Sequence, residues 1–338
     1  MMLISHLVRG AAGLFVISLV YIWLLSPPDQ LPARFSAKEC QHVRVIDPET
    51  GESIVGIEDL ALWQNGSQLI FTAHDRRDDA KPNGGLYSVP IWDIAERAEV
   101  DAKHLYRPQG SFRPHGFAIS DQQRRLALIN RPADGETEIL VGPLGQSGWR
   151  VDRWLDDPRF CRANDLDFNH PSNVRLRISM DRADCGPSIR DLAPWSRSGK
   201  VLSTDGGPIW VEQVGLSFPN GISGKYVAET RAKRISSAYG RALEVPGGPD
   251  NLTQTFYGDI VAALHPNLFL TGLGLGGWWD NIPTRIVRVE PKNGGVEVLF
   301  DDPSGRVYSG ATVAILTGDQ LIAGSAIDHG LLVCGDGL

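Results

Sequence analysis

A histidine held between proline and glycine, in "RPHGF" at 113–117, is the first residue of this chain whose setting suggests chemistry. Pro114 fixes its own φ and biases Arg113 toward extended backbone, and Gly116 permits another chain to approach closely. His115 is thus presented on a shaped turn, where an imidazole can be a general base, a metal ligand or a plain turn residue. Four further stretches place carboxylates and carboxamides just before or inside apolar runs: Glu58-Asp59 in "IEDLALW", Asn164-Asp165 in "ANDLDF", Asn220 in "FPNGIS" and Asp250-Asn251 in "PDNLTQT". Such oxygens are hard ligands, and about six to eight of them suit Ca²⁺. Glu58, Asn164, Asn220, Asp250 and Asn251 supply five side-chain ligands with two negative charges. A calcium ion so held keeps residual positive charge and can receive a carbonyl oxygen. Singly, "NDLD" and "PDN" are ordinary turn sequences; the set argues for metal. Asn251 also opens the sequon "NLT", but a ligand inside a tunnel cannot carry a glycan.

The spacing of these sites says what must position them. Glu58, His115, Asn164 and Asn220 are separated by 57, 49 and 56 residues, about one propeller blade each. Short apolar or alternating runs recur beyond residue 40, among them "SQLIFTAH", "RRLALIN", "TEILVG", "PIWVEQVGL", "NLFLTG" and "TRIVRVE". Asn65-Gly66, Asp134-Gly135, Asp205-Gly206-Gly207 and Asn293-Gly294-Gly295 punctuate them as turns. Helical periodicity is weak, with "SIRDLAPWS" at 188–196 the best short candidate. Nothing alternates strand with helix, so a doubly wound sheet is disfavoured. An all-β, six-bladed β-propeller of four-stranded blades accommodates some 300 residues and gathers the site residues in one central tunnel. Trp278 and Trp279, in the glycine-rich "TGLGLGGWWDN", are expected to wall a pocket or pack a blade, because no G-K-[ST] follows to make a phosphate loop. His74, His104, His170, His265 and His329 read as surface or packing residues.

The chain has 338 residues and a formal net charge of −7, which excludes a basic nucleic-acid-binding stripe. Residues 11–25, "AAGLFVISLVYIWLL", are uncharged, with Arg9 before them and Pro27-Pro28 after. No small-x-small cleavage site follows, so an uncleaved membrane anchor is favoured over a removed signal peptide. The expected organisation is an anchor over 1–28, a linker over 29–39 and a hydrolase propeller over 40–338 outside the cytoplasm, periplasmic or extracellular, with secretion as the alternative. Four cysteines suit that compartment and allow three pairings. A Cys40–Cys334 bond would tie the two ends of the domain together; Cys161 and Cys185 are then paired or free.

Taken together, "IEDLALWQNG", "PHGFAIS", "ANDLDF", "FPNGIS" and "PDNLTQT" resemble, in order and spacing, the paraoxonase/arylesterase family, which is related to the gluconolactonase-like propellers. The resemblance spans nearly the whole chain. It implies a six-bladed propeller, two calcium ions in the tunnel and hydrolysis of lactones and aryl esters. It also implies that Glu58, Asn164, Asn220, Asp250 and Asn251 hold the catalytic ion. By the same resemblance Asp59, Asp165 and the Phe117 carbonyl would hold the structural one, and His115 would activate water. Relatives carry a second histidine where "LINRPADG" places Arg131. An arginine cannot relay a proton, so Arg131 is a candidate contact for a substrate anion. A gluconolactonase or strictosidine-synthase-like propeller with another substrate is the alternative enzyme. A non-catalytic, calcium-stabilised propeller that binds a partner is the alternative of a different class.

Overall fold

A computed structural model describes residues 24–78, 84–168, 175–182, 185, 186, 193, 195–237 and 240–335. Six sheets, antiparallel except for one parallel pair in the last, follow one another along the chain. Each begins with one innermost strand: Ile57–Trp63, Pro114–Ser120, Ala163–Phe168, Pro219–Ser223, Gly248–Gln254 and Ala311–Thr317. We number the blades 1 to 6 in that order. The expected all-β propeller is what the chain forms, and the glycine turns named above fall between its strands.

Blade 6 is completed from the other end of the chain. Cys40–Ile46 lies antiparallel to Leu331–Cys334, with Cys40 directly opposite Cys334, and parallel to Glu99–Asp101 on its other edge. The disulfides are Cys40–Cys334 and Cys161–Cys185. Both suit an oxidising compartment outside the cytoplasm. Replacing Cys40 and Cys334 together by serine is expected to cost about 2–5 kcal/mol in denaturant unfolding. Non-reducing peptide maps checking the wild type should show these two linkages and no others.

The core lies between blades. Six buried apolar clusters fill the six blade-to-blade interfaces. Ala127, Ile129 and Val141 of blade 2, for example, meet Leu166, Ile178 and Leu202 of blade 3. Val43, Val45 and Val333 of blade 6 meet Leu69, Phe71 and Val89 of blade 1. Alternating Val, Ile, Leu and Ala give each sheet two such faces, and packing both closes the ring.

Two readings are corrected. "NLFLTG" is not a strand: Leu268–Leu275 is a helix, capped by the Asn267 side chain, which accepts from the Phe269 and Leu270 N–H groups. That side-chain cap decides against the strand a short apolar run suggests. Trp278 is 81% exposed and Trp279 38%, so neither is packed away in a blade. The candidate helix at 188–196 and the apolar run at 11–25 lie largely outside the described residues. Among the described residues no helix is long and apolar enough to cross a membrane.

Candidate metal centre and base

Every innermost strand carries a register irregularity near its first residues, at the same level of the ring. The breaks fall at Ile57/Asp59, Pro114/Phe117, Ala163/Leu166, Pro219/Ile222, Pro249/Leu252 and Ala311/Val313. Between those limits stand Glu58, His115-Gly116, Asn164-Asp165, Asn220-Gly221, Asp250-Asn251 and Thr312. A bulge leaves residues unpaired in the ladder and re-aims their side chains. Thus the residues singled out by type and spacing are those that six successive bulges turn toward the axis. All are buried, from Asn251 at 3% exposure to Asn164 and Asn220 at 8%.

His115 is buried, and its Nδ1 lies 2.6 Å from Glu58 Oε2. Its Nε2 has no hydrogen-bond partner among the described residues. A ring protonated at Nδ1 donates to Glu58 and leaves the Nε2 lone pair bare, the arrangement a base needs. The Arg76 guanidinium pairs with Glu58 Oε2 and lies against His115 Nδ1; being a donor only, it bonds the carboxylate and not a ring nitrogen that carries the proton. Burial, then the charges of Arg131, Arg76 and His74, hold the His115 pKa well below the usual histidine range, and the Asn164 side chain, as an acceptor for the protonated ring, opposes them. The ring is therefore neutral at physiological pH.

The neighbouring bulge residues are tied into the same level of the ring. Asn251 Nδ2 donates to the Glu58 carbonyl at 3.0 Å, and Thr312 Oγ1 donates to the same carbonyl at 2.9 Å. Asp250 Oδ2 lies 2.7 Å from His265 Nε2. Asn220 has its backbone carbonyl tied to the Ser179 hydroxyl. Among the described residues no three His, Cys, Asp or Glu side chains form a metal-ligating group. The set is two carboxylates and three carboxamides, a donor chemistry that fits a hard cation such as calcium.

Asp59 and Asp165 stand one residue further along their strands. Asp59 Oδ2 accepts the Phe117 N–H at 2.9 Å, and Asp165 Oδ2 accepts the Ile222 N–H at 2.8 Å. Each carboxylate therefore stitches its blade to the next. Burial pushes Asp59 up to about 7, against two backbone N–H bonds and with Asp250 adding to it. Burial and then the charge of Asp59 push Asp165 well above the usual range. Both line a cavity of about 320 Å³ on the axis that every blade borders, Phe117 among them. It is Phe117's N–H, not its carbonyl, that is seen bonded to a carboxylate.

Gly116 and Gly221 let the inner strands touch. A Cβ on Gly221 would sit 2.5 Å from Asn251 Cα and the Asp250 carbonyl, and one on Gly116 would sit 2.6 Å from the Asn164 carbonyl and Asp165 Oδ1. Gly221→Ala is expected to cost about 1–3 kcal/mol in stability and to lower cation affinity by displacing the candidate ligands Asp250 and Asn251. Thermal unfolding and calcium titration of that variant check both.

Three contributors escaped the sequence. His265, read as a packing residue, is buried against Asp250. Arg76 sits on Glu58 and His115. Thr312 fills the sixth bulge. Register is the signal that finds them: the second strand of each blade ends opposite the start of the first, as in Gly248 with His265 and Ile57 with Ala73. Arg131, expected as a substrate contact, donates from Nε to the Ala163 carbonyl at 3.2 Å.

No family model matches the chain. No curated protein matches it either. Among solved structures, a gluconolactonase of Xanthomonas campestris superposes with a TM-score of 0.54 at 14% identity, over 91% of this chain and 95% of that one. A Bacteroides thetaiotaomicron protein of unknown function gives 0.53 at 9% identity, over 87% and 74%. A periplasmic gluconolactonase of Pseudomonas aeruginosa gives 0.47 at 11%, over 82% and 88%. The first two likenesses, with TM-scores above 0.5, establish a shared fold and no more.

Proposed function

We propose that the protein is a calcium-dependent hydrolase of lactones and of aryl esters. The reading is carried by His115 Nδ1 held 2.6 Å from Glu58, with Nε2 unpartnered among the described residues and buried carboxylate and carboxamide side chains on the neighbouring bulges that would serve a cation. The gluconolactonase that shares the fold is consistent with a lactone as substrate. Glu58, Asn164, Asn220, Asp250 and Asn251 would hold the catalytic ion, and Asp59, Asp165 and the Phe117 carbonyl a structural one. When bound, the first ion supplies positive charge to the carbonyl oxygen of the substrate. His115 Nε2 removes a proton from water as the water oxygen bonds to the carbonyl carbon. Glu58 keeps the ring oriented through Nδ1–H and steadies the imidazolium. The ring C–O bond then breaks, and the proton on Nε2 passes to the departing alkoxide. Hydroxy acid is the product, and His115 is neutral again. The apolar segment at 11–25 would anchor the propeller to a membrane outside the cytoplasm.

Purified protein assayed on a panel of lactones and aryl esters, with and without EDTA, tests the reading. EDTA-sensitive ring opening is the expected outcome. Bound calcium with no hydrolysis of any lactone would assign the propeller to partner binding instead.

A further inference from the structure

The chain joins the propeller at the end where the inner strands begin. The Asn267 side chain, which caps the helix Leu268–Leu275, also donates from Nδ2 to the Leu24 carbonyl at 2.9 Å and the Ser26 carbonyl at 3.2 Å. From there the backbone is tied along blade 5. Arg285 and Asp301 form a buried ion pair at 2.7 Å. Arg285 donates onward to the Asp29 carbonyl, and Asp301 accepts the Leu31 N–H. The Arg34 and Phe35 N–H groups bond to the Val298 and Leu299 carbonyls, and Phe35 is buried between blades 5 and 6. The uncharged run at 11–25 therefore ends at a fixed point beside the N-terminus of that helix.

Apolar surface lies next to this point. Residues 268–279, "LFLTGLGLGGWW", carry no charge. Leu270, Thr271 and Gly274 are buried against the propeller, whereas Phe269, Leu275 (40% exposed), Trp278 and Trp279 stand out from it. A surface helix ordinarily turns a polar face to water; this one turns phenylalanine and leucine outward. The segment is also held at its far end. Arg77 donates to the Gly274 and Trp279 carbonyls, and the Ser309 hydroxyl donates to the Asp280 carbonyl. Phe256 and Tyr257 are more exposed still, at 97% and 88%. They form the tip of the hairpin between Gly248–Gln254 and Ile260–His265, at the opposite end of blade 5 from the helix. Aromatic exposure thus occurs at both ends of the blade, but the end with the helix is the one that residues 24–26 reach.

We propose that Phe269, Leu275, Trp278 and Trp279 rest in the headgroup region of the bilayer that residues 11–25 enter, so that the propeller sits on the membrane in one orientation. The proposal rests on the anchor reading for its membrane and adds the face that meets it. Indole rings favour that depth, and an uncharged helix offers apolar area to the acyl boundary. The probe is the full chain in phosphatidylcholine vesicles that contain a phospholipid with an acyl-chain diazirine, irradiated and mapped by mass spectrometry. Lipid adducts are expected on 11–25 and on 268–279, with those on 268–279 at least about tenfold above those on 256–257, because only the former reaches the interface. Leu275→Asp/Trp278→Asp should lower adducts on 268–279 at least about tenfold, since aspartate resists transfer into lipid, and leave those on 11–25 unchanged. Adducts on 11–25 alone would overturn the seating and leave the anchor standing. Adducts on 268–279 alone would support the apolar face and refute the anchor, and adducts on neither refute both. If 268–279 stays free of lipid and the chain is a dimer in detergent where the double variant is a monomer, the face belongs to a second copy and the seating is refuted.

Discussion

His115→Gln is expected to lower kcat/KM for a lactone by about 10² to 10⁴, the usual contribution of a general base, with calcium content and thermal stability near those of the wild type. Glutamine fills a similar space and can still meet Glu58, but it offers no basic nitrogen at the bare Nε2 position. The pH profile is the second readout. Burial and the charges of Arg131 and Arg76 hold the ring below the usual histidine range. The base is therefore active above that lowered pKa and lost as pH falls through it, so the acidic limb should lie well below that of an ordinary histidine. Arg131→Gln removes a neighbouring positive charge, raises the pKa and should move the limb to higher pH. A loss under about tenfold, with an unmoved limb, would mean that polarisation of the carbonyl does the catalysis without a base. Full activity at an unchanged profile would reduce His115 to a turn residue.

Asn220→Ala should abolish detectable lactone hydrolysis and lower the calcium affinity of the tunnel together. It removes one oxygen from the proposed five-ligand set and leaves the charge of that set unaltered, so geometry and ligand count alone are tested. The position is cleaner than Asp250, where substitution would also strip His265 of its partner at 2.7 Å. The Asn220 backbone is independently fixed by the Ser179 hydroxyl, so the scaffold should survive. Calcium measured on the purified variant, beside its kcat/KM, checks the result. An Asn220→Ala protein with full calcium and full activity would sink the ligand assignment.

The blades were legible because glycine and asparagine turns interrupt short alternating runs, and the placing of the candidate residues at one level of the ring was legible because a propeller repeats its innermost strand at nearly constant spacing. The bulges were not legible as such, yet they explain why the spacing worked: each falls at the same level of its strand. Residues that act from the second strand or the loop after it were missed. His265 and Arg76 look ordinary in "IVAALH" and "HDRRDD", and only strand register carries them to the axis. Leu268–Leu275 was misread because a short apolar run has no period that separates strand from helix; its Asn267 cap held the answer. The end-to-end disulfide followed from position alone, whereas the Cys161–Cys185 pairing had no sequence signal to choose it.

The strand Cys40–Ile46 also dictates an order of events during synthesis and export. It is among the first parts of the propeller to emerge, yet its antiparallel partner, Leu331–Cys334, emerges almost 300 residues later, with 294 separating the two cysteines. Until then one of its edges is an open template for pairing with other chains. Glu99–Asp101 reaches the opposite edge after only the first blade's third strand has appeared. That early parallel partner leaves a single edge to be guarded while the remaining five blades arrive.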